Sequence, residues 1–115
     1  MPKQGPEYRF RTRLCRRFDW AGYVAVKCAG SRPFDLIVMK GGYVAAVELK
    51  ALGEDISPEQ RSMQVRLAEQ AGIDLILLRQ YPRGRVLAVS LLEGDLSERG
   101  LQMLIEVLEG FLVDE

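Results

Sequence analysis

The chain has 115 residues, 48% of them hydrophobic and 28% charged, with sixteen Lys and Arg balanced by sixteen Asp and Glu; this suffices for one packed core and a single domain over residues 1–115. Histidine is absent, which excludes Ser-His-Asp and Cys-His hydrolases, HExxH zinc sites and any nuclease with an imidazole base, and neither GxGxxG nor GxxxxGK[ST] occurs. No apolar run approaches the roughly 20 residues of a membrane span, and no charged-then-apolar leader opens the chain, so a cytoplasmic protein with no membrane association is expected.

Phe10, Leu14 and Phe18 recur at fourfold spacing after Gly5-Pro6 and predict an amphipathic helix over about residues 6–19. Its other faces carry Arg9, Arg11, Arg13, Arg16 and Arg17. Gly22 breaks the helix, Tyr23 to Lys27 reads as a first strand, and a loop over 29–33 follows. Phe34 to Met39 and Tyr43 to Leu49 are apolar and β-favouring, and Lys40-Gly41-Gly42 between them supplies the positive φ of a tight hairpin. Ser57 as N-cap, Pro58 at the first helical position and Gln60 closing a capping box start a helix that runs to Gln70 and stops at Gly72. Asp74 to Arg79 and Val86 to Leu91 read as two further strands around the turn Tyr81-Pro82-Arg83-Gly84. Ser97 to Val113 reads as a closing helix. Its stripe of Leu101, Leu104, Ile105, Leu108, Phe111 and Leu112 suits the core and is wide enough for a subunit contact as well. The order α-β-β-β-α-β-β-α predicts an α/β fold, a mixed central sheet of about five strands flanked by helices. Cys15 and Cys28 lack metal or redox spacing and read as reduced thiols rather than a disulfide.

The chemistry concentrates in the hairpin. Side chains alternate along a strand, so Glu48 and Lys50 point the same way, and pairing across the hairpin brings Asp35 toward Glu48. Val44 to Val47 and Leu49 describe a strand buried on both faces, where an unpaired carboxylate or ammonium is costly. Two such carboxylates repel unless a proton or cation lies between them. Without imidazole, the oxygen-rich set suits Mg²⁺ or Mn²⁺; the plainer alternative is a set of unrelated edge charges. Charge is also uneven: residues 1–40 carry nine Lys/Arg against three Asp/Glu, and residues 41–115 seven against thirteen. The basic third is a candidate polyanion-facing surface, with a solvated helix face as its alternative.

The order helix, strand, hairpin bearing Asp35 and Glu48-Leu49-Lys50, then helix, resembles the core of the PD-(D/E)xK nuclease superfamily, with its restriction-endonuclease-like fold. Within it, Glu7 on the first helix, Ala29-Gly30-Ser31 before Pro33 and Asp35, and Ala46 to Lys50 resemble the archaeal-type Holliday-junction resolvases and their phage-encoded relatives. Val47 to Gly53 followed by Ser57-Pro58-Glu59-Gln60 is also similar to the VRR-type nuclease domains. The likeness covers about residues 5–72, and Phe34 stands where the family more often has proline before the Asp. It implies a homodimeric, Mg²⁺-dependent, structure-selective endodeoxyribonuclease that introduces paired nicks in four-way DNA junctions, in a host cytoplasm if phage-encoded. Asp35, Glu48, the Leu49 carbonyl and Glu7 would hold the metal, Lys50 would activate water, and Ser31 and Gln60 are further catalytic candidates. Arg9, Arg11, Arg13, Arg16, Arg17 and Arg32 would contact DNA phosphates. Glu7 reads equally as a helix-dipole carboxylate, Ser31 as a turn residue and Gln60 as a cap. Two other readings stay open: a superfamily nuclease acting on flaps, nicks or duplex DNA, and a non-catalytic DNA-binding module.

Overall fold

A computed structural model describes residues 5–51, 53–109 and 112–114. In chain order the elements are α1 (Pro6–Trp20), β1 (Val24–Lys27), β2 (Leu36–Lys40), β3 (Tyr43–Lys50), α2 (Pro58–Ala71), β4 (Asp74–Tyr81), β5 (Arg85–Ser90), α3 (Glu98–Val107) and β6 (Leu112–Asp114). Short 3-10 turns occupy Ala29–Ser31 and Pro82–Gly84. The strands form one mixed sheet whose spatial order is the chain order. The first three are an antiparallel meander, β4 joins β3 in parallel through the α2 crossover, β5 returns antiparallel and β6 lies parallel to β5. This is the expected α/β architecture.

Two layers of apolar side chains hold helices on opposite faces of the sheet. Phe10, Leu14 and Phe18 of α1, spaced to fall on one helical face, are fully buried against Leu36, Val38, Val47 and Leu49, and Met103 and Val107 of α3 complete that layer. On the other face Ala68, Val65 and Leu67 of α2 pack against Phe34, Ala46, Leu75 and Leu77. The β2–β3 turn is tight because Lys40 pairs with Tyr43, leaving Gly41 (φ 56°) and Gly42 (φ 83°) as a two-residue loop with both φ positive. A side chain at either position would be strained, and the resulting twist matches that of the flanking strands. Ser57 caps α2, its Oγ accepting from the Gln60 N–H at 3.2 Å, and Gly72 closes the helix in the left-handed conformation. Both cysteines are free thiols. Among the described residues no helix is long and apolar enough to cross a membrane.

The C-terminal segment departs from the sequence expectation. The predicted helix over 97–113 ends at Val107, and Leu112–Asp114 instead pairs with β5 through the register Arg85↔Leu112 and Val86↔Val113. Gly110 is a poor helix residue, and the open edge of β5 offers a row of backbone partners to the chain beyond it. The apolar stripe is also divided: Leu108 is buried, as are Met103 and Val107 outside the expected stripe, whereas Leu101 and Ile105 are 50% and 68% exposed. Phe111 lies outside the described residues.

The start of α3 is fixed by a compact polar contact. Asp74 accepts hydrogen bonds from the Tyr43 hydroxyl at 2.5 Å and the Ser97 hydroxyl at 2.6 Å, while Ser97 Oγ accepts from the Gly100 N–H at 3.0 Å. A methyl group at Gly100 would lie 2.6 Å from Asp74 Oδ2 and 3.0 Å from Tyr43 Oη. Ala within a helix ordinarily gains about 1 kcal/mol over Gly, but here it must push Asp74 off both hydroxyls. Urea unfolding of Gly100→Ala is expected to show a loss of about 1–3 kcal/mol instead of a gain.

Candidate active site

Alternation along β3 sends Ala45, Val47 and Leu49 into the α1–α3 layer and Ala46, Glu48 and Lys50 to the face covered by α2. The β2–β3 register pairs Leu36 with Val47, so one step further sets Asp35 opposite Glu48 on that same face. Both carboxylates are interior, 3% and 1% exposed. Asp35 immediately precedes β2, and its Oδ2 accepts from the Leu49 N–H at 2.8 Å. A side chain thereby takes over a bond that the backbone ladder would otherwise supply, and it anchors the carboxylate to the strand carrying Glu48.

Glu48 Oε2 accepts from Gln64 Nε2 at 2.6 Å and from Gln60 Nε2 at 3.2 Å. Burial, and then the hydrogen-bonded Asp35 carboxyl, push the Glu48 carboxyl up to about 8, while the Gln64 amide and the Lys50 ammonium act in the opposite direction. A carboxylate that resists ionisation this strongly, next to a second buried carboxylate, is short of positive charge. A hard divalent cation meets that need. Mg²⁺ is commonly held by one or two carboxylates and completes its shell with water and substrate phosphate oxygens, so this donor set fits it. Among the described residues no three Asp, Glu or Cys side chains cluster together, and the carboxylate part of the site is the Asp35–Glu48 pair.

The other expected site residues divide. Lys50 lies half-buried at the end of β3 on the Glu48 face. Gln60 caps nothing with its side chain: its N–H completes half of the capping box, and its amide turns to Glu48. Leu49 is buried in the α1–α3 layer, and its N–H is committed to Asp35. Ser31 ends the 3-10 turn and Glu7 lies in the first turn of α1, but their side chains fall outside the described ones.

The arginines are distributed differently from a single cluster. Arg9, Arg13 and Arg16 are exposed along α1. Arg11 is half-buried with its guanidinium 5.5 Å from the Tyr8 ring, and Arg17 donates to the Val107 carbonyl at 3.2 Å and stacks 4.6 Å from the Trp20 ring, pinning α1 to α3. The apolar side chains of α1 pack on the sheet face opposite Glu48. Arg32 does sit beside the site. It lines a cleft of about 520 Å³ with Pro33, Ser57, Glu59, Gln60 and Met63, between the loop entering β2 and the first turns of α2.

Two contributors escaped the sequence reading. Gln64, one helical turn after Gln60, is fully buried and makes the shorter bond to Glu48; two glutamines four residues apart on a helix that follows the Glu-x-Lys strand were the available signal. Arg79, the register partner of Lys50, donates to the Glu54 carbonyl and lies 3.3 Å from Asp55, holding the segment between β3 and α2.

The raised Glu48 pKa sets the sign of a pH effect on metal-free stability. An unfolded Glu titrates near 4.5 and the folded one near 8, so between these values the folded state binds more protons and stability falls as pH rises. Thermal melts in EDTA are expected to decline from pH 5 to pH 8. Glu48→Gln should flatten that slope, and added Mg²⁺ should stabilise the protein more at pH 8 than at pH 5.

No family model and no curated protein matches the chain. Among solved structures the chain is similar to Hjc of Archaeoglobus fulgidus, a Holliday junction resolvase from an archaeal hyperthermophile, with 22% sequence identity over 76% of this chain and 74% of that one and a TM-score of 0.65. The fold of this protein is therefore that of Hjc.

Proposed function

We propose that this protein is a Mg²⁺-dependent endonuclease that resolves four-way DNA junctions as a homodimer. The observation that carries the reading is the buried pair of Asp35 and Glu48, set opposite each other by the β2–β3 register, with Lys50 on the same strand face. The shared fold with a Holliday junction resolvase supports the choice of substrate.

In this reading Asp35 and Glu48 hold Mg²⁺ or Mn²⁺ together with the Leu49 carbonyl, and Glu7 is a further candidate ligand. The bound ion supplies neutralisation of the phosphodiester oxygens and a lower pKa for water. Lys50 lies two residues beyond Glu48, roughly 7 Å along the strand. From there its ammonium positions the attacking water, assists loss of its proton and offsets the charge that builds on the phosphate. Gln60 orients the Glu48 carboxylate, and Ser31 lies in the loop leading to Arg32. Arg32 presents a cation at the mouth of the cleft. Arg9, Arg13 and Arg16 contact phosphates of a duplex arm that passes round the end of the sheet, with Arg11 and Arg17 adding positive field from behind. Two symmetric nicks require two such sites related by a two-fold axis, and exposed Leu101 and Ile105 leave apolar surface for a second subunit.

A labelled immobile four-way junction should be cut symmetrically only with Mg²⁺ or Mn²⁺ present. Asp35→Asn should abolish cutting while junction binding is retained, and Lys50→Ala should slow it by about 10²–10⁴-fold. If linear duplex or flap DNA is cut as fast as the junction, the protein is a nuclease of another specificity; if Asp35→Asn changes nothing, the hydrolytic reading fails.

Junction affinity should fall steeply with salt, with a slope of about −0.9 for each phosphate neutralised. Arg9→Ala and Arg13→Ala should each make that slope shallower. Sedimentation should show a dimer at working concentration, whereas a stable monomer would contradict paired cutting.

A further inference from the structure

Gln64 is 0% exposed, deep in the α2 face of the sheet among Ala68 and its apolar neighbours. Its Nε2 donates at 2.6 Å to Glu48 Oε2 and at 2.9 Å to the Pro33 carbonyl. Both neighbours are acceptors, so the amide orientation is determined by its surroundings: nitrogen must face them. The two N–H bonds are thus both used, whereas Oε1 is buried with no hydrogen-bond partner among the described residues. An orphaned carbonyl of this kind costs about 1–3 kcal/mol. An apolar side chain of the same length would avoid that loss, so stability of the apolar layer alone does not account for glutamine here. What glutamine adds is its pair of donors and where they reach.

The two acceptors belong to the two chain segments that carry the carboxylates. Pro33 lies two residues before Asp35, and Glu48 is the opposing carboxylate on β3. Gln64 therefore spans α2, the entry to β2 and the middle of the site with one planar group. Among the described residues the Gln60 side chain bonds Glu48 alone, at 3.2 Å, and it is partly exposed, so water can replace it. We infer that Gln64 is a positioning residue of the metal centre, holding the Glu48 carboxylate and the backbone leading into Asp35 in the arrangement that receives a divalent cation. The inference rests on the metal-dependent reading above, and acts through Glu48 rather than by direct contact with the ion. Loss of such an outer partner typically weakens metal affinity 10–100-fold.

The test is direct Mn²⁺ titration of the full chain, followed by electron paramagnetic resonance of free Mn²⁺, with thermal melts in EDTA run alongside. Wild type is expected to bind Mn²⁺, Asp35→Asn to lose it, and Gln64→Met to bind about 10–100-fold more weakly while melting cooperatively in EDTA. If Gln64→Met is not folded, Gln64→Asn takes its place, because it keeps an amide in the pocket but is one methylene too short to span both acceptors. A folded Gln64 variant with wild-type Mn²⁺ affinity overturns the inference and assigns the residue to packing alone. Wild type that binds Mn²⁺ no better than Asp35→Asn overturns the metal reading itself, a result distinguishable from the first because it appears before any Gln64 variant is measured.

Discussion

Two carboxyl groups meet in the interior of this protein, and most of the local architecture is arranged around that contact. Asp35 and Glu48 face each other from adjoining chain segments at 3% and 1% exposure. In isolation such a pair is a liability, since both charged forms are desolvated and they repel. The surrounding chain supplies partial relief through the Leu49 N–H on Asp35, two glutamine amides on Glu48 and the Lys50 ammonium nearby. These donors are insufficient to bring Glu48 back to an ordinary carboxylate pKa. The residual deficit of positive charge is the physical basis for reading the site as a cation site.

The sheet topology explains how so small a chain builds that contact. The tight Gly41-Gly42 turn keeps β2 and β3 in a register that opposes Asp35 and Glu48. The parallel β3–α2–β4 crossover then lays α2 directly over the face carrying Glu48, which delivers Gln60 and Gln64 from one helix surface. Had the chain returned by a simple hairpin, no helix would cover that face. The opposite face is filled by α1 and α3, so the larger apolar layer lies across the sheet from the site chemistry, while a smaller apolar cluster shares the α2 face with the carboxylates. That separation lets the core stay apolar while the α2 face carries an electrostatically unfavourable cluster.

The same separation bears on the DNA contact proposed above. A run of arginines in one short segment suggests one basic surface, but a helix spreads consecutive residues around its axis. Arg9, Arg13 and Arg16 face solvent, whereas Arg17 is drawn into a contact with the end of α3 and the Trp20 ring. Among the described residues Arg32, on the loop entering β2, is the arginine that borders the cleft beside Gln60.

Local signals made much of this legible in the amino-acid sequence. The fourfold spacing of Phe10, Leu14 and Phe18, the Gly-Gly turn, and the Ser57-Pro58 start and Gly72 stop of α2 are short-range features, and each element formed where its own residues direct it. Alternation along two adjacent strands likewise sufficed to bring Asp35, Glu48 and Lys50 to one face. The segment after α3 was not legible in that way, because Leu112 and Val113 suit helix or strand and the choice depends on an open β5 edge distant in sequence. Gln64 was missed for the same reason. Its spacing of four from Gln60 hints at a shared helix face, but only the crossover that presses α2 onto β3 buries it against Glu48 and Pro33. Sequence alone determined the elements and the charged residues to be gathered, because those follow from local backbone preference and side-chain periodicity. Tertiary structure decided which polar groups share the buried site, because that depends on which faces of distant elements are packed together.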